Sequence, residues 1–268
     1  MIDESQINLA LAGLGYKESL NLSVEEARRI GTAIGCDFFI IGKTDAALRS
    51  ETANESHGES IIGLMLVDSR SGKLAHFDFI LEKAATIEAA QAKAAQTLAS
   101  RVNIYLEKMS EFRTAGETII PVITEPVEDL PDAESAAAAG FKAPEFINRI
   151  KPEYTEEATH ADITATVEAN VIFKADGEIG EIELIRWAGF GLDESAIRAI
   201  HQLKFKPAIR NDKAIPVRAL IRYNFRRVNE VDAQQKPQAP EPRPEEKPQR
   251  DLRQLFKPQV RMPRKPDH

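Results

Sequence analysis

Between Ile163 and Phe225 apolar and polar residues alternate so regularly that the segment is committed to sheet. The odd positions Ile163, Ala165, Val167, Ala169, Val171 and Phe173 are all apolar. Between them stand Thr164, Thr166, Glu168, Asn170, Ile172 and Lys174, with Ile172 the one apolar member. A period of two over that length specifies a strand with one buried and one wet face. Asp176-Gly177 then offers the positive-φ pair of a tight hairpin turn. In the return strand, Ile179 to Trp187, Ile182 and Leu184 fall on one phase and Ile185 and Trp187 on the other. That change of phase implies either a bulge or burial on both faces. Leu192 to Ile197 opens a helix, with Asp193 as N-cap and Leu192 and Ile197 as the staple around it. Ala196, Ile197, Ile200 and Leu203 form its buried stripe, and Lys204 to Pro207 ends it. The last strand alternates again, with Val217, Ala219, Ile221, Tyr223 and Phe225 inward and Arg218, Arg222, Asn224 and Arg226 outward. The expectation is a ββαβ unit, one helix on one face of a small antiparallel sheet whose last strand is cationic on its wet side.

In a sheet built as hairpin, helix, strand, the last strand or the first must lie at the boundary. An open edge presents unpaired N–H and C=O groups, so it is either protected or recruits an extended peptide. Pro152-Glu153-Tyr154, Asp176-Gly177, Leu192–Ile197, Lys204-Phe205-Lys206-Pro207-Ala208 and Pro216-Val217 also stand in a familiar order, and residues 141–228 resemble TonB carboxy-terminal domains. Two positions depart from that pattern: Thr155 stands where the family usually has Pro, and Ala188-Gly189 where it usually has Ser-Gly. The resemblance implies a non-enzymatic periplasmic module that grips a short segment of an outer-membrane receptor by strand addition. Carried onto this sequence, it makes Pro216, Val217, Arg218, Leu220, Arg222 and Asn224 the contact candidates. The arginines of that strand equally suit an edge that charge merely keeps soluble.

Upstream, residues 1–112 read as an α/β layer of about three strands and three helices. Met1–Gly15 is a helix carrying Ile7, Leu9, Leu11 and Leu14. Ser23-Val24-Glu25-Glu26 is a capping box, and Gly35 is the stop of the helix it opens. Asp37–Gly42 reads as a short strand buried on both faces, Lys43–Ser60 as a polar loop or ragged edge, and Ile61–Asp68 as a strand. Ser69–Gly72 is a turn, Lys73–Leu81 a strand, and Thr86–Met109 a long helix. The stripe of that helix is Ala94, Leu98, Val102, Tyr105, Leu106 and Met109. Gly15-Tyr16, Ser19-Leu20-Asn21-Leu22, Glu25-Glu26-Ala27-Arg28, Gly35-Cys36-Asp37-Phe38 and Leu66–Gly72 resemble the domains that precede TonB-like modules in some Gram-negative envelope proteins. More remotely they are similar to curli-secretion and TolB-type assembly factors. Those domains begin with one more strand–helix unit, so the sequence is expected to start inside its own first domain. Gly13–Gly15 follows a helix instead of a strand, which suits a helix stop and not a dinucleotide loop.

Residues 113–140 form an acidic linker punctuated by Pro121, Pro126 and Pro131, with no Lys or Arg between Thr114 and Phe141, so like charges should extend it. Residues 229–268 hold eight of the chain's 15 prolines, which is the composition of a disordered or polyproline tail. Its basic end, Arg250–His268, is a candidate for contact with the cell wall or another anionic surface. The net charge of −7 disfavours nucleic acid as a partner.

No apolar run reaches the roughly 20 residues of a membrane span. Direct energy transduction would need an inner-membrane helix, so scaffolding is the expected role. Cys36 is the only cysteine and suits a small core residue. The five histidines are scattered without ligand spacing, no catalytic constellation stands out, and no cofactor or metal is expected. Trp187 suits a core anchor or a partner contact. Two rivals to peptide binding remain: an envelope-assembly protein that forms homodimers through the same edge, and a nucleotide-binding or enzymatic amino-terminal half.

Overall fold

The computed structural model describes residues 4–16, 19–52, 55–115, 127–130 and 140–227. The readings for the tail and for most of the linker lie outside these residues. Helix α1 (Glu4–Leu14) ends at Gly15, whose φ is 65°. Helix α2 (Val24–Ile34) carries the complete capping box: the Ser23 hydroxyl accepts the Glu26 N–H at 3.1 Å, and the Glu26 carboxylate accepts the Ser23 N–H at 2.8 Å. Gly35 closes it at φ 74°. Strands β1 (Phe38–Thr52), β2 (Glu55–Asp68) and β3 (Leu74–Ala84) form an antiparallel meander, and helix α3 (Ile87–Ala115) packs along β2 and β3.

The carboxy-terminal half holds β4 (Glu128–Asp129), β5 (Phe141–Lys142), β6 (Glu145–Phe146) and helix α4 (Glu156–His160). Strands β7 (Ala165–Phe173) and β8 (Ile179–Arg186), helix α5 (Leu192–His201), β9 (Phe205–Lys206), β10 (Ala208–Arg210), β11 (Lys213–Ile215) and β12 (Val217–Phe225) follow. The main sheet has the order β4-β12-β7-β8, and β11-β10-β5 and β6-β9 are small sheets. The architecture is α+β, an amino-terminal layer of helices on a sheet followed by the ββαβ unit that the alternation dictates.

Several local expectations are corrected. Only Gly177 of the hairpin turn is left-handed, at φ 87°. Lys174 and Glu178 close a three-residue loop, a type I turn with a glycine bulge in place of a two-residue turn. The return strand does bulge: its register with β7 shifts between Glu168 and Ala169 and again between Val171 and Phe173. Asp193 is not the N-cap. Gly191 holds that position at φ 68°, and the buried Asp193 carboxylate turns back to accept the N–H groups of Ala188 (2.9 Å) and Gly189 (2.8 Å). The segment Asp37–Gly42 is not buried on both faces, because β1 is an edge strand that α3 barely reaches, and Ile40 is 47% exposed. Lys43–Ser60 is no loop; both its arms pair as β1 and β2. On α3 the inner stripe runs through Ala90, Ala94 and Tyr105, while Val102 and Leu106 stay outside, 49% and 57% exposed. Polar anchors set that rotation: Arg101 and the Tyr105 hydroxyl both bond Asp78 on β3, and Thr97 bonds Glu82.

One hydrophobic core runs through both halves. Phe39, Ile41, Ile61, Met65, Val67, Phe77 and Phe79 of the meander pack with Val167, Trp187, Phe190, Leu192 and Phe225. Phe190 is the wedge between them. It is fully buried at φ 53°, with its ring centroid 4.8 Å from that of Phe77 and 6.1 Å from that of Phe79. Gly63 gives it room, since a Cβ there would lie 2.7 Å from the ring. Trp187 is a core residue whose indole N–H donates to Gly72 O at 3.1 Å. The Asn21 side chain donates to Thr166 O (2.8 Å) and Trp187 O (2.7 Å) and accepts the Thr166 N–H (2.9 Å). It thereby pairs the end of β7 as a strand would. A second core, Ala169, Val171, Phe173, Ile200, Phe205 and Val217, fills the space between the four-stranded sheet and α5.

Candidate functional site

Strand β12 pairs with β7 along its whole length, from Val217 opposite Phe173 to Phe225 opposite Ala165. On its other side only one short strand pairs with it among the described residues. There β4 runs parallel to it over two pairs, Glu128 opposite Val217 and Asp129 opposite Arg218. The N–H groups of Glu128 and Leu130 donate to Pro216 O (3.5 Å) and Arg218 O (3.0 Å). Even-numbered residues therefore aim their backbone groups toward β4, and odd-numbered ones aim theirs at β7. Because strand backbones repeat every two residues, Leu220, Arg222 and Asn224 offer N–H and C=O groups on the same open side. Among the described residues no strand pairs with Ala219–Phe225 there.

Of the two alternatives for the sheet boundary, the last strand is the outer one, covered by β4 over only two pairs among the described residues, and the first, β7, is central. The opposite edge, β8, is closed at its end: Arg186 bridges Ser23, and the Trp187 N–H donates to Leu22 O at 3.1 Å.

The six candidates fall into three groups. Pro216 is half-buried and Val217 fully buried in the core, so these two support the rim from beneath. Arg218 is ion-paired to Asp129 at 3.4 Å. Leu220, half-exposed, and Arg222 and Asn224, both exposed, line the open part. Arg222 bonds Glu168 at 2.6 Å, Glu168 also meets Arg186 at 3.4 Å, and Arg186 reaches Glu26 at 3.0 Å. Asn224 accepts the Thr166 hydroxyl at 2.9 Å. A row of alternating charges thus crosses the wet face of the sheet from the rim to α2, holding Arg222 flat against it.

Nothing in the residue pattern points to Glu128, Asp129 and Arg210 as members of this site. Glu128 pairs with Arg210 at 2.8 Å, and the Arg210 guanidinium lies 5.6 Å from the Phe141 ring centroid. The linker's acidity was visible, but nothing in it names the strand it would join. Away from the rim, His57 and His160 approach the buried Glu59 carboxylate at 4.0 and 3.6 Å. Among the described residues no cluster of His, Cys, Asp and Glu could hold a metal ion, and no helix is long and apolar enough to cross a membrane.

Residues 150–226 match the family model described as Gram-negative bacterial TonB protein C-terminal. The solution NMR structure of the Pseudomonas aeruginosa TonB carboxy-terminal domain is similar at 18% identity and a TM-score of 0.29, covering 33% of this chain and 90% of that one. No curated protein matches. The matched family consists of non-enzymatic modules that interact with outer-membrane receptors, and its proteins are periplasmic or envelope-associated.

Proposed function

From the match of residues 150–226 to that family we propose that this chain is a periplasmic protein–protein interaction module. In this reading an extended peptide of an outer-membrane receptor or another envelope partner adds to β12 as a strand. The observation that carries it is the hydrogen-bonding rim at Leu220, Arg222 and Asn224, which faces away from β7 and which no described strand covers. Main-chain pairing at such a rim supplies affinity, and the side chains at alternate positions supply selectivity. Pro216 and Val217 hold the rim in place, and Arg218, Leu220, Arg222 and Asn224 meet the partner.

The test is a titration of receptor-derived peptides into the full chain and into Leu220→Pro. The Leu220 N–H serves the open side and not β7, so proline removes a partner donor while the β7 ladder stays whole. Peptide binding should disappear in Leu220→Pro and persist in Leu220→Ala. Equal affinity for Leu220→Pro and the parent chain would refute strand addition at β12. The same rim suits a second copy of the chain, and Leu220 at 50% exposure favours that reading too. Concentration-dependent dimerisation in sedimentation without peptide, abolished by Leu220→Pro, would identify self-association instead.

A further inference from the structure

We propose that residues 127–130 are a tethered stand-in for the partner, and that the partner able to displace them is an acidic extended peptide. This rests on the reading of β12 as a strand-addition site and adds to it the charge of the incoming strand and the competitor it displaces.

Three observations carry it. The chain's own Glu128–Asp129 already occupies the beginning of the rim, and in parallel orientation. Its two carboxylates meet two arginines that flank the rim, Glu128 with Arg210 at 2.8 Å and Asp129 with Arg218 at 3.4 Å. Among the described residues the occupation covers two residue pairs, and no described strand lies beside Leu220, Arg222 and Asn224, where an incoming strand can start pairing and then peel the segment away.

Exposed ion pairs of this kind hold weakly, which suits a contact that must be exchanged. The tether compensates: the segment rejoins the fold at Phe141, and a connection of that length keeps its effective concentration on the order of millimolar. A partner without carboxylates would displace β4 and leave Arg210 and Arg218 unpaired. The structure thus selects acidic peptides over neutral or basic ones.

The probe is a fluorescein-labelled peptide with the sequence of residues 124–132, titrated by anisotropy at low salt. It is added to the full chain and to a variant combining Glu128→Gln, Asp129→Asn and Leu130→Pro. That variant removes both ion pairs and the Leu130 donor and makes the chain two charges less negative, so Leu130→Pro alone, which leaves the charge unchanged, should shift the affinity in the same direction. The peptide should bind the variant roughly five-fold or more tightly than the parent chain, since the tethered copy no longer competes. A peptide with lysine at the places of Glu128 and Asp129 should bind neither.

Equal affinity for parent and variant would overturn the competitor role. If Leu220→Pro still abolished that binding, strand addition at β12 would survive. Equal binding of the lysine peptide would overturn the acidic preference. Failure of the acidic peptide to bind either protein would overturn the stand-in altogether, and the receptor-peptide titration would then decide the site independently. Matching far-UV circular dichroism and melting of parent and variant exclude a folding defect as the cause.

Discussion

Truncating Phe190 to alanine should cost about 3–5 kcal/mol of stability, the range for removing a fully buried phenylalanine from a core that cannot collapse around the gap. The upper half of that range is expected here. Phe77 and Phe79 each lose an aromatic partner, and such pairs contribute about 0.5–1.5 kcal/mol beyond area burial. Gly63 has no side chain with which to fill the space. Alanine also gains nothing in backbone strain, because φ at this position is 53° and a left-handed residue with a Cβ bears about 1–2 kcal/mol. Phe190→Gly, which sheds that strain, should therefore be no less stable than Phe190→Ala.

At about 2–4 °C per kcal/mol for a unit of this size, the alanine variant should melt about 10 °C below the parent. Urea unfolding followed by far-UV circular dichroism and by Trp187 fluorescence is the assay. Trp187 is the sole tryptophan, and its indole N–H bonds the meander at Gly72 O. The two probes should coincide in the parent and separate in the variant, because the lost ring joins the two halves. A loss below about 1 kcal/mol with coincident transitions would refute the wedge.

Two further outcomes follow from the same junction. Asn21→Ala breaks three hydrogen bonds that finish β7 and anchor Trp187, and should lower stability by about 2–4 kcal/mol in urea titration. An effect within about 0.5 kcal/mol would mean that water replaces the side chain there. Asp193 makes stability depend on pH. Burial pushes its carboxyl up to about 7, against the pull of the Ala188 and Gly189 amides, with a smaller upward push from Glu194. Between its ordinary value and about 7 the folded state therefore holds a proton that the unfolded state has released. The contribution is complete below the ordinary value and is lost as pH rises through about 7. Between pH 5 and pH 8 the parent should lose on the order of 2 kcal/mol more than Asp193→Asn does. A parent–variant difference that stays flat across that window contradicts the assignment.

The parts of the fold that could be read in advance are those written in local chemistry. The capping box Ser23–Glu26, the stop at Gly35 and the alternation of Val217–Phe225 each involve residues a few positions apart, and each stands where expected. Lys43–Ser60 was opaque because Lys43–Ser50 holds no buried residue and so needs no apolar period, while the buried end of the other arm, Gly58, Glu59 and Ser60, carries no large apolar side chain. Asp193 looked like an N-cap because a carboxylate at a helix start normally serves its own helix; here two left-handed glycines, Gly189 and Gly191, fold the preceding loop back so that its amides take the carboxylate. Phe190 reads as one more aromatic in a glycine loop, and only the distant Gly63, Phe77 and Phe79 make it a wedge. At the rim, alternation revealed which side chains of β12 face solvent. It held no trace of β4, because pairing between residues some ninety positions apart leaves no period.

The pleat of β12 divides its residues between two tasks. Odd positions give their side chains to the core and their amides to β7, while even positions give side chains to water and amides to whatever lies alongside. The even set can accordingly be rewritten without consulting the odd one. Recognition on this scaffold can drift, or be randomised in a library at 218, 220, 222 and 224, while the interior that keeps the strand in place stays untouched.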